Sequence, residues 1–394
     1  MFMNDKSTGH IDDPFLLKMI LPAEVDQSLV EKWRLLESNA MEFNAYLSPD
    51  FVIPALEYLF GSKDVLIMLV LKKDGPAEKL VGLGIFRNKK GNLNFPFPHL
   101  EAYRSPQAFL TGILADKKYH EQVFANIMHF FNKNRWKWFG LKFKYLPLTG
   151  TTFFALCDKG KQYHISWHQE VQAQRSCIFT DNVFRENPTY AVHKKLKKDI
   201  RRCFNNLEKL GNIEWNLYKG NEISDEMIDR FLKLENTGWK GESKTSILSA
   251  PHRKKFFLKM IGLFRGKNAV FFTELSVNGK VVASNCNLIS GDNGFAYKVA
   301  WDPEYAKYSP GNLNEYEFLS RFNSLNLEIK SLDSGATEGS FIDRFWPNRI
   351  SIGEGMFLFN RVSRAIIPVT ILLNRLEKYL NNNYPRIRGL LHGR

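Results

Sequence analysis

Apolar positions along the chain fall into two kinds of spacing. Val25, Leu29, Trp33 and Leu36 recur every three to four residues, the signature of an amphipathic helix over 25–36. A loop over 43–49 precedes a second helix, predicted over 50–60. Two β-rich runs, 65–71 and 80–86, are joined by Lys72-Lys73-Asp74-Gly75, a hairpin-like connection. A polar, proline-bearing loop over 92–104 leads to a helix over 119–133 and an alternating strand over 138–144. The order helix, helix, hairpin, loop, helix, strand is that of an α/β fold.

The second half repeats this order. Helices are predicted over 225–235 and 251–265, then strands over 270–277 and 280–290 around Asn278-Gly279. Asn-Gly between apolar runs is the strongest short hairpin signal, because both turn residues must take positive φ. A strand over 294–301, a loop, a helix over 313–325 and a strand over 328–333 complete the set. Residue-level identity between the halves is not visible, so a duplication rests on element order.

Length agrees with two units: 394 residues suggest two domains, each able to bury its own core. With 44% apolar and 14% aromatic residues, the chain has too much buryable surface for a disordered tail. The expected segmentation is a polar tail over 1–14, an N-terminal module over 15–184, a basic linker helix over 185–211, a C-terminal module over 212–360 and a basic helix and tail over 361–394. Cys157, Cys177, Cys203 and Cys286 are widely spaced, with no CxxC pair, so free thiols in a reducing compartment and no metal site are expected. The first 14 residues carry Asp5, Asp12 and Asp13 and lack the apolar core of a signal peptide. A cytoplasmic location is therefore expected. The apolar stretch 365–373 is broken by Pro368 and falls far short of the roughly 20 residues that span a bilayer.

The net charge of +14 changes the picture because it is concentrated. Residues 185–210 hold eight basic and three acidic side chains, and 361–394 hold seven basic and one acidic. Within the first segment Val192, Leu196, Ile200, Phe204 and Leu207 mark one helix face, with Lys194, Lys197, Lys198, Arg201 and Arg202 on the other. That face reads either as a solvated linker or as a surface for an anionic partner such as CoA phosphates, acidic lipid or tRNA. The C-terminal helix, with Ile371, Leu372, Leu376 and Leu380 on one side, is expected to pack on the protein. Both segments lie away in sequence from the loop described next, so the charge is read as a separate clue.

The stretch from Tyr297 to Leu313 carries the candidate chemistry. A strand ends at Trp301, Asp302-Pro303 turns the chain, and Ser309-Pro310-Gly311 stands where a helix begins. Free N–H groups and the positive end of the helix dipole make such an N-terminus an anion site, and Lys307 adds charge nearby. Alone, Ser-Pro-Gly is also ordinary turn vocabulary.

Hairpin, strand, phosphate-type loop, helix and strand in that order resemble the GNAT acyltransferase superfamily. The stretches 234–241 (LENTGWKG), 277–283 (VNGKVVA), 297–302, 305–311 (YAKYSPG) and 333–335 (DSG) more closely resemble the CelD/BcsL acetyltransferases of cellulose and exopolysaccharide biosynthesis, relatives of the FemAB aminoacyltransferases. Weaker echoes lie at 43–50 and 194–202, so the resemblance spans roughly residues 25 to 350. It implies two tandem GNAT-like modules joined by the basic helix. It also implies an acetyl-CoA (acyl-CoA) site in the second module, with Val299, Ala300 and Trp301 along the pantetheine arm and Lys307, Tyr308, Ser309, Pro310, Gly311, Asn312 and Leu313 around the pyrophosphate.

The acceptor, an amine or a hydroxyl such as a sugar's, needs a base to take its proton and a donor for the oxyanion. Glu235, Asp302, Asp333 and Glu338 are the candidate bases; helix surface, turn former and loop cap are the competing roles for the first three. Trp239, Lys240 and Tyr297 are candidate acceptor contacts, and Trp239 equally suits a helix packed on the core. Where the family carries Gly-Asp-Glu and then Tyr-Lys, this chain has Gly335-Ala336-Thr337-Glu338 and Phe341-Ile342-Asp343-Arg344. Two other functions stay open: a FemAB-like transferase using aminoacyl-tRNA, for which the basic helix would face RNA, and a non-catalytic GNAT-like binding protein.

Overall fold

The computed structural model describes residues 14–59, 64–74, 77–92 and 95–370. The first half contains β1 (Phe15–Ile20), α1 (Gln27–Ser38), α2 (Pro49–Tyr58), β2 (Val65–Asp74), β3 (Ala77–Lys89), β4 (His99–Ala102), β5 (Leu114–Ala115), α3 (His120–Lys133), β6 (Gly140–Pro147), α4 (Thr151–Lys161) and β7 (Ser166–Phe179). After α5 (Asn182–Glu186) and α6 (Lys194–Glu208) come β8 (Ile213–Lys219), α7 (Asp225–Glu235), α8 (Trp239–Glu242), α9 (Pro251–Gly266), β9 (Val270–Val277), β10 (Lys280–Ser290) and β11 (Asn293–Trp301). The chain continues through α10 (Pro310–Arg321), β12 (Ser331–Asp333) and β13 (Asn348–Leu358). Local chemistry sets the boundaries. Asp26 caps α1 by accepting from the Leu29 N–H at 2.8 Å, and Ser224 caps α7 through the Met227 N–H. Asn278 and Gly279 take φ of 49° and 77°, the paired positive values that a tight hairpin between β9 and β10 requires.

All strands join one sheet in the order β1-β2-β3-β4-β6-β13-β7-β12-β11-β10-β9-β8, with β5 on the flank of β3. The two ends mirror each other. Each half runs strand, two main helices, three main strands, helix, strand, and each contains one parallel pair: β4 with β6 and β11 with β12. The fold is thus mixed α/β, with a large mixed sheet.

The middle of the sheet was not foreseen. β7, the last strand of the first half, pairs with β12 of the second, while β13 crosses back to pair with β6. β7 and β13 then run antiparallel along their full lengths, from Asn348↔Cys177 to Leu358↔Ser166. Gly355 permits this, since a Cβ there would stand 2.4 Å from both the His168 carbonyl oxygen and the Trp167 ring.

Apolar side chains pack on both faces of the sheet. Trp33 and Leu36 of α1 with Val52 of α2 cover one face of the first half, and Phe124, Ile127 and Phe131 of α3 cover the other. In the second half α6 and α10 supply Ile200, Leu207, Leu313 and Phe318 to one face. On the opposite face Phe231 of α7 and Phe256, Phe257 and Met260 of α9 meet Tyr46 and Phe51 from the first half, so this core straddles the seam. Among the described residues no helix is long and apolar enough to cross a membrane. The apolar face expected from Ile371 to Leu380 lies outside the described residues.

Candidate functional site

β11 is where the sheet opens. It pairs with β12 only over Asn293↔Ser331, Gly294↔Leu332 and Phe295↔Asp333, and beyond Phe295 no described strand pairs with that edge. On its other side β11 stays paired with β10, but the register steps from Asn287↔Ala296 to Cys286↔Lys298. Tyr297 is therefore the extra residue of a β-bulge, which bends a strand and redirects its side chains. Tyr297 is buried in the seam core, and Lys298 lies against its ring, with Nζ 5.0 Å from the centroid.

Two charged clusters frame the opening. At its closed end Arg175 of β7 pairs with Asp333 at 3.3 Å and donates to the Phe109 carbonyl at 3.0 Å and the Ala336 carbonyl at 3.2 Å. Asp333 also accepts from the Gly335 N–H at 2.7 Å. Gly335 takes φ of 62°, which glycine adopts without penalty, and the space beside it is closed as well: a Cβ would meet the Ala296 carbonyl oxygen at 2.9 Å and the Phe109 ring at 3.0 Å. Along the open edge, Lys240 donates to the Val299 carbonyl at 2.6 Å and pairs with Glu235 at 3.5 Å. Glu235, buried at the end of α7, accepts from the Ile247 N–H at 2.8 Å.

The open edge leads to the start of α10. Ser309 takes a left-handed conformation, φ 51° and ψ 54°, and its carbonyl accepts from the N–H groups of Asn312 and Leu313. Pro310 has no N–H, so the Gly311 N–H is the first-turn donor left outside this arrangement. A Cβ on Gly311 would lie 3.7 Å from the Trp301 ring, ordinary contact distance, and Trp301 is itself 40% exposed. Lys307 is exposed, with its Nζ 4.9 Å from the Tyr308 ring centroid.

These distances sort the expected site residues. Glu235, Lys240 and the Val299 carbonyl come together beside β11, and Tyr297 lies in the seam core. Asp333 lies at the closed end and is bound to Arg175. Asp302 is occupied elsewhere: it caps the turn by accepting from the Glu304 N–H at 2.9 Å and pairs with Lys280 at 2.8 Å. Glu338 is exposed on the loop after β12. Ala300 and Leu313 belong to the core, the latter on the buried face of α10. Trp239 opens α8, and its side chain lies outside the described residues.

The basic helix stands in an unexpected place. α6 packs against the 3-10 turn Pro303–Tyr308 and against α10, so the charge excess read as separate from the loop is its neighbour. Lys194, Lys198, Arg201 and Arg202 are exposed, and Lys197 donates to the Thr189 hydroxyl at 3.2 Å.

Several groups escaped sequence reasoning. Burial lowers the Lys298 ammonium to about 8, against a pull upward from Glu235. Tyr46 is a second, and burial raises its phenol, like that of the expected acceptor contact Tyr297, well above the ordinary range. Behind the sheet, Glu315 of α10 accepts from the Trp346 indole at 2.6 Å and from the Asn285 amide at 3.3 Å, and burial pushes its carboxyl up to about 7. A lysine inside the apolar run Tyr297-Lys298-Val299-Ala300-Trp301 was the one visible signal.

Residues 194–337 match the family model of the acetyltransferase (GNAT) domain. No curated protein matches the chain. Among solved structures, FemX is similar over 89% of this chain and 99% of its own, with a TM-score of 0.55 and 9% identity. The C-terminal domain of a protein from Agrobacterium fabrum, named as a lysylphosphatidylglycerol synthetase, is similar over 87% of this chain and 95% of its own, with a TM-score of 0.50 and 9% identity. At such identity the two structures bear on the fold, which they share, while the domain match marks the half that contains the open edge of β11.

Proposed function

We propose that the chain transfers an acyl group from acyl-CoA, acetyl-CoA in the simplest case, to an amine or hydroxyl acceptor. The observation that carries this reading is the parting of β11 from β12 beyond Phe295, which leaves a backbone edge running to the N-terminus of α10. The pantetheine arm would lie along Ala300 and Trp301. Its phosphates would meet the Gly311 N–H, Lys307 and the exposed cations of α6. The Val299 carbonyl, held by Lys240, and the Trp301 carbonyl, which accepts from the Thr237 hydroxyl at 3.4 Å, already have partners along that edge.

The acceptor attacks the thioester carbonyl from the Tyr297–Lys298 side of β11. A carbon–nitrogen or carbon–oxygen bond forms, the carbon–sulfur bond breaks, the CoA thiolate leaves, and the acceptor's proton passes to a base. Glu235 suits that role best, because its ion pair with Lys240, at 3.5 Å, is the longest of the three, against 2.8 Å for Asp302 with Lys280 and 3.3 Å for Asp333 with Arg175, and Glu338 stands in solvent. The bulge at Tyr297 leaves backbone polar groups outside the ladder, where they are free to steady an oxyanion. A sugar acceptor and a place in polysaccharide or cell-envelope synthesis rest on the resemblance to the CelD/BcsL type.

Calorimetric titration with acetyl-CoA tests the reading. Binding is expected at micromolar to submillimolar ligand and its loss in Gly311→Trp; no binding at millimolar acetyl-CoA refutes it. Binding without turnover on any acceptor would favour the non-catalytic alternative. The position of α6 beside the loop also favours a second donor, aminoacyl-tRNA. In that case RNA affinity falls steeply with salt, and the combined charge reversal of Lys194, Lys197 and Arg201 flattens the slope.

A further inference from the structure

We infer that Lys298, Tyr297 and Tyr46 form a carboxylate-binding subsite, and that the acceptor in the proposed transfer therefore carries a carboxylate. The inference rests on the acyltransfer reading for the word acceptor, but the subsite stands on its own contacts.

Tyr46 comes from the 3-10 turn Ala45–Leu47 of the first half, and Tyr297 is the bulged residue of β11 in the second. Their ring centroids are 6.5 Å apart, and the Phe109 ring adjoins both, at 5.7 and 6.1 Å. Both hydroxyls are fully enclosed, and neither has a hydrogen-bond partner among the described residues. Native proteins rarely leave buried polar atoms unpaired, and two such hydroxyls in one aromatic cluster point to a missing partner. Lys298 adds a third unmet group. Its Nζ lies over the Tyr297 and Phe109 rings, at 5.0 and 5.6 Å from the centroids, and makes no hydrogen bond or ion pair among the described residues.

All three groups donate. Burial keeps both phenols protonated, and at pH 7 the Lys298 ammonium still outweighs its neutral form. The carboxylates nearest to them already have partners and bond to none of the three, Glu235 with Lys240 and the Ile247 N–H and Asp333 with Arg175 and the Gly335 N–H. The missing partner is thus an acceptor of hydrogen bonds with a negative charge. A carboxylate fits, since its two oxygens offer about four lone-pair sites to three donors. One lysine among aromatic rings suits a monoanion better than a phosphate dianion. Lys298 is the one of the three that keeps partial exposure, so the anion would enter past it. Two sources share this chemistry, an amino acid and an acidic sugar.

The test is calorimetry on the full chain at pH 7 with CoA present, using glycine, L-alanine and D-glucuronate as probes and glycinamide, L-alaninol and D-glucose as counterparts lacking the carboxylate. At least one acid should bind tenfold or more tightly than its counterpart, and which acid does so identifies the source. Lys298→Met should weaken that acid at least tenfold. Tyr46→Phe and Tyr297→Phe should each weaken it severalfold while keeping or raising the melting temperature, because each removes an unpaired buried hydroxyl. A purely structural role predicts the reverse, lower melting temperatures with unchanged affinity. Equal binding of acids and counterparts, or no binding of any acid while acetyl-CoA still binds, overturns the subsite alone. Acid binding that needs Lys298 in a protein that ignores acetyl-CoA overturns the donor reading alone.

Discussion

Replacing Arg175 by methionine tests whether the buried pair at the closed end of the β11–β12 opening holds the two halves in place. Methionine keeps much of the side-chain volume and removes the charge. In the parent both partners are less than a tenth exposed, and the guanidinium also serves the carbonyls of Phe109 and Ala336. The variant leaves Asp333 buried with the Gly335 N–H as its remaining partner and strips both carbonyls of theirs. Breaking a buried pair from one side costs about 3–5 kcal/mol, much of it from the stranded charge. Asp333→Asn in the same background removes that charge and should recover about 2 kcal/mol, a coupling that a double-mutant cycle isolates. Urea unfolding, followed by tryptophan fluorescence and by circular dichroism to check that the transitions coincide, supplies the energies. A loss below about 1 kcal/mol for Arg175→Met, or single effects that simply add, would refute this account of the pair.

Glu315 makes a pH prediction. Its carboxyl sits near 7 in the fold against an ordinary value of 4.5, so the folded state holds its proton more tightly than the unfolded chain. The resulting stability is complete below pH 4.5 and is lost as pH rises through 7, about 3 kcal/mol in all. Glu315→Gln, which can still accept from Trp346, should abolish that decline in unfolding experiments between pH 4.5 and 7; an unchanged slope rules it out. Ser309→Gly, at a left-handed position with no side-chain capping bond, should stabilise the protein by about 1 kcal/mol by relieving the Cβ clash. A destabilised Ser309→Gly protein would show that the serine has a role beyond its backbone.

The second half was the easier to read because its strands are apolar and its hairpin turn is Asn-Gly. β9, buried at every position, and β10 begin and end where the pattern placed them. β7 was missed because most of its outer part, from Ser166 to Gln174, is exposed on both faces and shows no alternation. β13 was missed because Gly353 and Gly355 weaken its strand signal, although close packing requires them. The helix start at Ser309-Pro310 was legible from local turn chemistry. The contacts of Tyr46 with Tyr297 and of Arg175 with Asp333 were not, since they join residues more than 150 positions apart, which only the paired sheet brings together.

The exchange of β7 and β13 also determines how the protein can be divided. A break in the backbone just before α6 would give two fragments, each carrying the strand that completes the other. Alone, either would expose the sheet edge its missing partner covers, an invitation to aggregate. Together they could zip along the long β7–β13 ladder without a peptide link. The two halves are reciprocal parts, each closed by a strand that the other supplies.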